Sequence, residues 1–189
     1  MSFFTNLYNV FIIIKNNLIH ENLIFTHLTV KEKIMLMKLS YNSKLNVGVE
    51  IGSYLGASSC FIAAGIRKSQ NFGKLFCIDT WENDSMTQGR KDTFQEFRQN
   101  TKRYDEIIVP LRGWSSDIAH NFEQKIDFLF IDGGHSYDDV KTDVDLWMPK
   151  LMPGALLVMH DSGWAEGVQR VINDDISPHV KREGRLPNM

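Results

Sequence analysis

Short apolar runs alternate along this chain with longer segments in which apolar residues recur every three or four positions. A continuous short apolar run is typical of a buried strand, and the longer period is typical of a helix. The predicted strands are 47–51, 74–78, 107–111, 126–131 and 155–159. The predicted helices are 57–68, about 91–104, 114–122, 140–151 (ended by Pro153-Gly154) and 168–176. This alternation predicts an α/β fold: a doubly wound, mostly parallel sheet with helices on both faces.

The residues before the first strand are predicted to be helical in two pieces, giving an N-terminal segment 1–45 and a domain 46–189. Thr29 and Glu32 have the spacing of a capping box at the start of the second piece. The apolar run 10–14 is too short to span a membrane, which takes roughly 20 residues. No positive charge precedes it, so a signal peptide is not predicted. We expect this segment to dock on the domain or on a partner subunit.

Composition and charge indicate a soluble single-domain protein and give no support for nucleic-acid binding. A chain of 189 residues, 43% of them hydrophobic, is typical of one soluble globular domain with a sizeable core. A net charge of -2 gives no electrostatic reason to expect nucleic acid. Cys60 and Cys77 lie in apolar segments, so we expect buried free thiols and a reducing, cytoplasmic compartment.

Four of the five predicted strands end in an acidic residue: Glu50, Asp79, Asp132 and Asp161. In a parallel sheet these ends lie along one edge, where open α/β sheets bind their ligands. Four carboxylates in a partly desolvated cleft repel one another. A ligand rich in hydroxyls, a cationic ligand or a metal would explain them.

The first of these ends carries a glycine-spaced turn, Glu50-x-Gly52-x-x-x-Gly56, that leads into a helix. Glycine is needed where the chain turns sharply and a ligand approaches the backbone closely. The free N–H groups and the dipole of a helix start point at whatever binds there. The pattern predicts a small-molecule site at the end of the first strand.

Taken together, these motifs resemble a class I S-adenosylmethionine (SAM)-dependent methyltransferase: Glu-x-Gly-x-x-x-Gly after the first strand, then an Asp after the second and the fourth. The segment 131–137, Ile-Asp-Gly-Gly-His-Ser-Tyr, is more specific when taken with Asp143, Trp147 and His160-Asp161. It resembles the small-molecule O-methyltransferases grouped with antibiotic sugar methyltransferases and cephalosporin-hydroxylase-like proteins. The resemblance covers roughly residues 29–187 and implies a Rossmann-like sheet.

The resemblance implies SAM as the cofactor. A carboxylate such as Asp79 can accept hydrogen bonds from both ribose hydroxyls; the alternative is that it caps a turn. Glu50 either faces the cofactor's amino group or orders the loop, and Ser116 either lies near the adenine or caps the next helix. The predicted cofactor residues are Glu50, Gly52, Ser53, Tyr54, Gly56, Asp79, Ser116 and Asp132.

Methyl transfer from a sulfonium to a hydroxyl needs donor and acceptor held together and a base that takes the acceptor's proton. The predicted catalytic residues are His135, as the base, and Asp132, both just past the fourth strand. The alternative for His135 is a structural hydrogen bond to a loop carbonyl. Some relatives carry an acidic residue, thought to be the base, where this chain has Gly134.

Several relatives also hold a divalent metal, with one carboxylate after the fourth strand and two acidic residues after the fifth. The corresponding residues here are Asp132, His160 and Asp161. Histidine in place of the first acid of the pair departs from the oxygen ligands that magnesium prefers. A divalent metal such as magnesium therefore stays one of two alternatives, the other being no metal.

The predicted reaction is methyl transfer to a hydroxyl of a small molecule, a sugar or a phenolic natural product, without a nucleic-acid or membrane partner. Two alternatives stay open: a SAM-binding protein without catalysis, and a nicotinamide-dependent oxidoreductase, which the missing Gly-x-Gly-x-x-Gly turn disfavours. The acceptor pocket is expected to use the N-terminal segment and loop 81–89. Residues 177–189 leave room for one short strand at most. The C-terminal edge strands are therefore predicted to be incomplete, which favours a homodimer.

Overall fold

The computed structural model describes residues 3–43, 45–83, 89–181, 184 and 186–189. Its five strands are β1 (Val47–Ile51), β2 (Lys74–Asp79), β3 (Ile108–Arg112), β4 (Ile126–Ile131) and β5 (Leu151–Met159). Every neighbouring pair is parallel, in the order β3-β2-β1-β4-β5. The order reverses between β1 and β4, and ligands of open α/β sheets bind at such a switch point, beyond the carboxyl ends of the strands.

Helices connect the strands and precede them. They are α1 (Phe3–Lys15), α2 (Ile19–Leu23), α3 (Val30–Asn42), α4 (Ala57–Lys68), α5 (Phe94–Thr101), α6 (Ser115–Asn121), α7 (Tyr137–Trp147) and α8 (Glu166–Val171). Short 3-10 turns follow α5 and α7, and a π-helical turn, Ile172–Ile176, follows α8. The N-terminal segment thus contains three helices rather than two, and the helix predicted from about residue 91 begins at Phe94.

Apolar side chains cover both faces of the sheet, because successive residues of a strand point to opposite sides. On one face Phe128 and Phe130 belong to a core that includes Ile62 of α4. On the other face Leu129 belongs to a core that includes Trp147 of α7. The predicted doubly wound α/β fold with helices on both faces is confirmed.

The boundary between α7 and β5 differs from the prediction. α7 ends at Trp147, because Pro149 lacks the N–H that a continuing helix would need. β5 begins at Leu151, and its pairing with β4 shifts register between Ile126 and Phe128. The pair Pro153-Gly154, with φ +84° at Gly154, is therefore an irregularity within a strand and not the end of a helix.

The part of the chain described beyond Met159 contains helices and turns but no further strand. The C-terminal edge is therefore incomplete there, as predicted, and the homodimer stays a prediction. At the other end, α1 exposes more than half of Leu7, Val10, Phe11 and Ile14. Among the described helices, none combines the length and the apolar composition needed to cross a membrane.

The N-terminal segment is joined to the domain where α3 packs on α4. The capping box is confirmed: the Thr29 N–H donates to Glu32 Oε2 (2.7 Å), and the Glu32 N–H donates to Thr29 Oγ1 (3.3 Å). Gly65 of α4 lies against α3 so closely that a Cβ there would be 2.0 Å from Ser40 Oγ and 2.3 Å from the Met37 carbonyl oxygen. This contact leaves no room for a side chain.

We expect Gly65→Ala to lower the free energy of unfolding by about 1–3 kcal/mol, because overpacking pushes α3 away from α4. Gly184→Ala is the control, since an added Cβ there meets no atom within 4 Å. Urea unfolding followed by circular dichroism measures both variants. Equal free energies of unfolding for the two would contradict this account of the contact.

Candidate active site

The loops that follow β1 and β4 meet at the switch point. Gly52 has φ +85°, and a Cβ there would lie 2.1 Å from the carbonyl oxygen of Asp132. Gly56 has φ +88°, and a Cβ there would lie 2.6 Å from Cγ2 of Thr101. Only glycine permits this conformation together with such close approaches. The two loops are therefore held in contact by the glycine turn, residues 52–56.

Asp79 joins the end of β2 to the glycine turn. Its Oδ2 accepts a hydrogen bond from the Tyr54 N–H (2.8 Å), and its Oδ1 accepts one from the Trp81 N–H (2.6 Å). The Trp81 indole N–H donates in turn to the Tyr54 carbonyl (2.8 Å). Asp79 therefore caps the turn, which was one of the two roles expected for it. A carboxylate has about four acceptor positions, so the ribose-binding role is compatible with it and stays a prediction.

Glu50 lies beneath the glycine turn and is fully buried. Its Oε2 accepts hydrogen bonds from the hydroxyls of Ser53 (2.8 Å) and Ser59, and the Cys77 thiol lies 3.3 Å away. Burial raises the pKa of Glu50, and these hydrogen bonds oppose the rise. Glu50 therefore lies beneath the turn and orders it through side-chain hydroxyls, as one of the two alternatives expected; its contact with the cofactor stays a prediction.

Asp132, His160 and Asp161, here called the His160 cluster, lie together after β4 and β5. His160 Nδ1 is 2.9 Å from Asp132 Oδ1 and 3.2 Å from Asp161 Oδ1. Possible ligand atoms, one from each residue, lie within 4.8 Å of one another. Nδ1 is buried and makes no well-aligned hydrogen bond. The fold thus brings together the three residues that were predicted as metal ligands.

The three residues of the His160 cluster shift one another's pKa values. Burial lowers the pKa of His160, but Asp132 and Asp161 outweigh burial and raise the pKa to about 10. Burial raises the pKa of Asp161, but the same imidazole, with hydrogen bonds from Trp164 and Asn188, holds it well below its usual range. For Asp132 burial dominates, and the pKa is raised. The two carboxyl groups therefore stabilise the protonated form of the His160 imidazole.

His135 lies on the solvent-facing side of the His160 cluster. Its Nε2 lies 2.7 Å from Asp161 Oδ2, and 47% of its side chain is exposed. The Trp164 ring stands edge-on to it with centroids 5.1 Å apart, and its indole N–H donates to Asp161 Oδ1 (2.7 Å). His135 therefore pairs with a carboxylate and not with a loop carbonyl. Its role as base stays a prediction.

Two residues that the sequence patterns did not assign to the site also approach His160. Asn188 Nδ2 lies 3.3 Å from His160 Nε2 and donates to Asp161 Oδ1 (3.2 Å). Glu32 Oε2 lies 3.8 Å from the same Nε2. Asn188 lies in a C-terminal tail that has no hydrophobic periodicity. The spacing of Glu32 from Thr29 predicted a helix cap and gave no indication of a place in the site. Trp164 was also missed, since a single aromatic residue in a loop predicts no role.

The predicted adenine side lies at α6. This helix begins at Ser115, and its N-cap residue Trp114 makes no side-chain cap. Ser116 is therefore in the first turn and does not cap the helix; its contact with adenine stays a prediction. The Ser115 hydroxyl bonds to the buried carboxyl group of Asp143 on α7. Burial raises the pKa of Asp143 to about 6, and the Ser115 hydrogen bond opposes the rise.

The domain that carries these loops matches a known family. Residues 49–162, more than half of the chain, match the family described as a methyltransferase domain. The chain belongs to this methyltransferase family. A curated relative, the uncharacterized protein y4gI of Sinorhizobium fredii (strain NBRC 101917 / NGR234), is 27% identical over 116 residues. These are 60% of the chain, which spans only 13% of that relative's length.

Solved structures of methyltransferases share the fold. An O-methyltransferase from Bacillus cereus in complex with SAH has a TM-score of 0.64 at 14% identity, over 87% of this chain and 76% of that one. The O-methyltransferase TomG from Streptomyces achromogenes, in complex with SAM, has a TM-score of 0.60 at 17% identity, over 80% and 62%. The O-methyltransferase NovP has a TM-score of 0.62 at 16% identity, over 79% and 72%. The Rossmann-like methyltransferase fold is therefore shown.

We expect the stability of the protein to depend on the pH through Asp143. Because its pKa is about 6 in the folded chain and 3.8 as the ordinary value, the folded state binds more protons between these values. The free energy of unfolding therefore falls as the pH rises through this window, by on the order of 3 kcal/mol from this group. Asp143→Asn removes this loss.

The measurement is urea unfolding at about pH 4.5 and about pH 7.5, a step that covers most of the window between the two pKa values. The variant should gain on the wild type at the higher pH. Asp145→Asn, an exposed position on the same helix, is the control. The prediction is contradicted if the free energies of unfolding of Asp143→Asn and wild type differ by the same amount at both pH values.

Proposed function

We propose that this protein transfers a methyl group from SAM to a hydroxyl of a small molecule. One observation carries the proposal: the glycine turn lies against the Asp132 loop at the switch point, and the His135–Asp161 pair belongs to the same group of contacts. A cofactor turn and an oriented base therefore adjoin each other. Membership in the methyltransferase family supports the reaction class, and the SAM and SAH complexes of the structural neighbours support the cofactor.

In this proposal SAM lies over the glycine turn. Glu50 orders this turn from the opposite side through its hydrogen bonds with Ser53 and Ser59. Asp79 binds the ribose hydroxyls, and its hydrogen bond to the Tyr54 N–H supports this role because it fixes the carboxylate beside the turn. Ser116 lies on the adenine side. Asp132 lies on the methionine side, next to Gly52.

The reaction is an in-line displacement. The acceptor oxygen attacks the methyl carbon, the carbon–sulfur bond breaks, and its electron pair stays on the sulfur. His135 takes the acceptor's proton. Asp161 lies 2.7 Å from His135 Nε2, so it orients the ring and stabilises the imidazolium that forms, while Nδ1 is the nitrogen that accepts the proton.

The His160 cluster fits a divalent metal. Its donors are one imidazole nitrogen and two carboxylates, and the buried Nδ1 of His160 lacks a well-aligned hydrogen bond. Asp132, His160 and Asp161 would hold the ion. When bound, it would orient the acceptor's oxygens and lower their pKa. A donor set with an imidazole nitrogen suits iron, nickel, copper or zinc better than magnesium.

The acceptor in this proposal is a sugar or a phenolic compound. One structural neighbour is named as a TDP-rhamnose 3'-O-methyltransferase. Phe25 and Trp164, each more than half exposed, stand beside Tyr54 and His135 and offer apolar walls for a ring. Residues 84–88 of the predicted acceptor loop lie outside the described residues. The buried free thiols of Cys60 and Cys77 support a cytoplasmic location.

The first test is SAM binding by isothermal titration calorimetry. We expect Asp79→Ala to raise the Kd for SAM by about 10- to 100-fold, because hydrogen bonds to a charged group contribute about 1.5–3 kcal/mol. Glu123→Ala, an exposed acidic position at the far end of the fourth strand, is the control. Binding of NAD with no binding of SAM would contradict the proposal and favour the oxidoreductase.

The second test is transfer of a labelled methyl group to a panel of sugars and phenols. We expect His135→Ala to lower kcat by about 10²–10⁴-fold with an unchanged Kd for SAM, because it removes general-base catalysis. His120→Ala, an exposed histidine on α6, should match the wild type. An unchanged kcat for His135→Ala would exclude it as the base. SAM binding without methylation of any acceptor would favour the non-catalytic alternative.

A further inference from the structure

We propose that helix α1 and the basic residues around its C-terminal end bind the surface of a membrane that contains anionic lipids. Helix α1 lies along the interface, with its exposed apolar face among the acyl chains and the basic residues at the lipid phosphates. The sequence predicted no membrane partner, because the apolar run 10–14 is too short to span a bilayer. A helix that lies in the interface needs no spanning length. The proposal is independent of the proposed methyl transfer.

The exposed face of α1 is an apolar stripe. Leu7, Val10, Phe11 and Ile14 follow the i, i+3, i+4, i+7 spacing that places side chains on one side of a helix. Between 52% and 60% of each residue is exposed. Ile13, on another side of the helix, is buried in a core shared with α3 and α4. The stripe is therefore not the face by which α1 packs on the protein, and an exposed apolar patch of this kind marks a docking surface.

Positive charge borders this stripe at both ends. Near the end of α1, Lys15 Nζ lies 5.7 Å from the centroid of the Phe11 ring. Near its beginning, Lys38 Nζ lies 5.1 Å from the centroid of the Tyr8 ring and donates to the Tyr8 hydroxyl (3.3 Å). Neither lysine pairs with a carboxylate in the described part of the chain. Lysines beside exposed apolar rings are typical of helices that lie at a membrane surface.

A basic groove extends this charge beyond the end of α1. Four of the residues that line the groove are basic: Lys15, Arg67, Lys68 and Arg103. Glu106 pairs with Arg67, and Glu21 pairs with Arg103. The two lysines have no such partner among the residues that the structure describes, and Lys68 Nζ donates to the Asn16 side-chain oxygen (2.8 Å). The groove therefore keeps an excess of positive charge, which suits a phosphate group.

The distribution of charge favours a bilayer over a second copy of the chain. A two-fold interface places the same surface of each copy against the other. Because lysines border both ends of the stripe, lysine would face lysine whether the two α1 helices ran parallel or antiparallel. Glu21, the one acidic residue of segment 6–28, is 3% exposed and cannot relieve this repulsion. An anionic membrane surface attracts all of these cations at once.

The test is co-sedimentation of the full chain with lipid vesicles. The probes are neutral phosphatidylcholine vesicles and vesicles that also contain phosphatidylglycerol. We expect binding to the anionic vesicles and much weaker binding to the neutral ones. Binding should weaken as the salt concentration rises, because ions screen charges at an exposed surface. These measurements on the wild type need no variant and stand if a variant fails to fold.

Two double variants separate the contributions of the stripe and of the charge. We expect Phe11→Ser with Ile14→Ser to raise the Kd for anionic vesicles by about 10- to 100-fold, because less apolar surface enters the interface. Lys15→Gln with Lys68→Gln should raise it by about 10- to 30-fold, as expected for the loss of two cations near the surface. The second double variant should also reduce the dependence of binding on salt.

Matched controls change the same residue types elsewhere. Met152→Ser replaces an exposed apolar residue of β5, and Lys125→Gln replaces an exposed lysine just before β4. Both should bind vesicles as the wild type does. Calorimetry should give an unchanged Kd for SAM in all four variants, so a failure of this proposal is distinguishable from a failure of the proposed function.

Three results would overturn the proposal. The first is a wild type that does not bind anionic vesicles, including one that binds only glycerol phosphate in solution. The second is vesicle binding that both α1 double variants leave unchanged. The third is a dimer, seen by light scattering without vesicles, that Phe11→Ser with Ile14→Ser converts to a monomer. In that case the stripe holds a second copy of the chain.

Discussion

The contact between Gly52 and the Asp132 carbonyl is the constraint on which the candidate site depends. A side chain of any size at Gly52 would strike that oxygen, so the loops after β1 and β4 can meet only through a glycine. This contact joins the part of the site proposed for the cofactor to the part proposed for the acceptor. Since β1 and β4 are the neighbours between which the strand order reverses, the contact also lies where a crevice opens naturally.

Charge in the site is concentrated after β4 and β5. Glu50 is shielded beneath the turn by hydroxyl donors, and Asp79 is engaged with backbone N–H groups. The His160 cluster is different, because a buried imidazole there lies between two carboxyl groups. Removing one member of such a buried group leaves another uncompensated, which costs several kcal/mol. Replacing one member at a time is therefore strongly destabilising, and the proposed metal-binding role would account for the cluster.

Most of the fold could be predicted from periodicity. The bounds of β1 and α4 agree with the apolar pattern, because each buries one continuous run or one regular face. The end of α7 could not be located in this way. Pro153-Gly154 is a signal of irregular backbone, and the same signal fits a helix end or a bulge inside a strand. The choice depends on whether a neighbouring strand pairs with the segment, which is a long-range property.

The candidate site was predictable to the extent that its residues follow strands. Parallel strands end at one edge, so Glu50, Asp79, Asp132 and Asp161 were expected along that edge from their positions in the chain, and His160 joined them through the family resemblance. The depth of each group was not predictable. Glu50 follows the same rule as Asp79 along the chain, yet it is buried because its side chain points under the turn toward Ser59.

The sequence by itself determined the parallel α/β architecture, the glycine turn and the group of titratable residues after β4 and β5. These follow from local periodicity, from the conformational freedom of glycine and from the polarity of parallel strands. Only the tertiary structure decided that Glu32 and Asn188, separated by most of the chain, both approach the ring of His160. Such contacts depend on how α3 and the C-terminal tail pack on the sheet, and packing between distant segments leaves no periodic trace in the sequence.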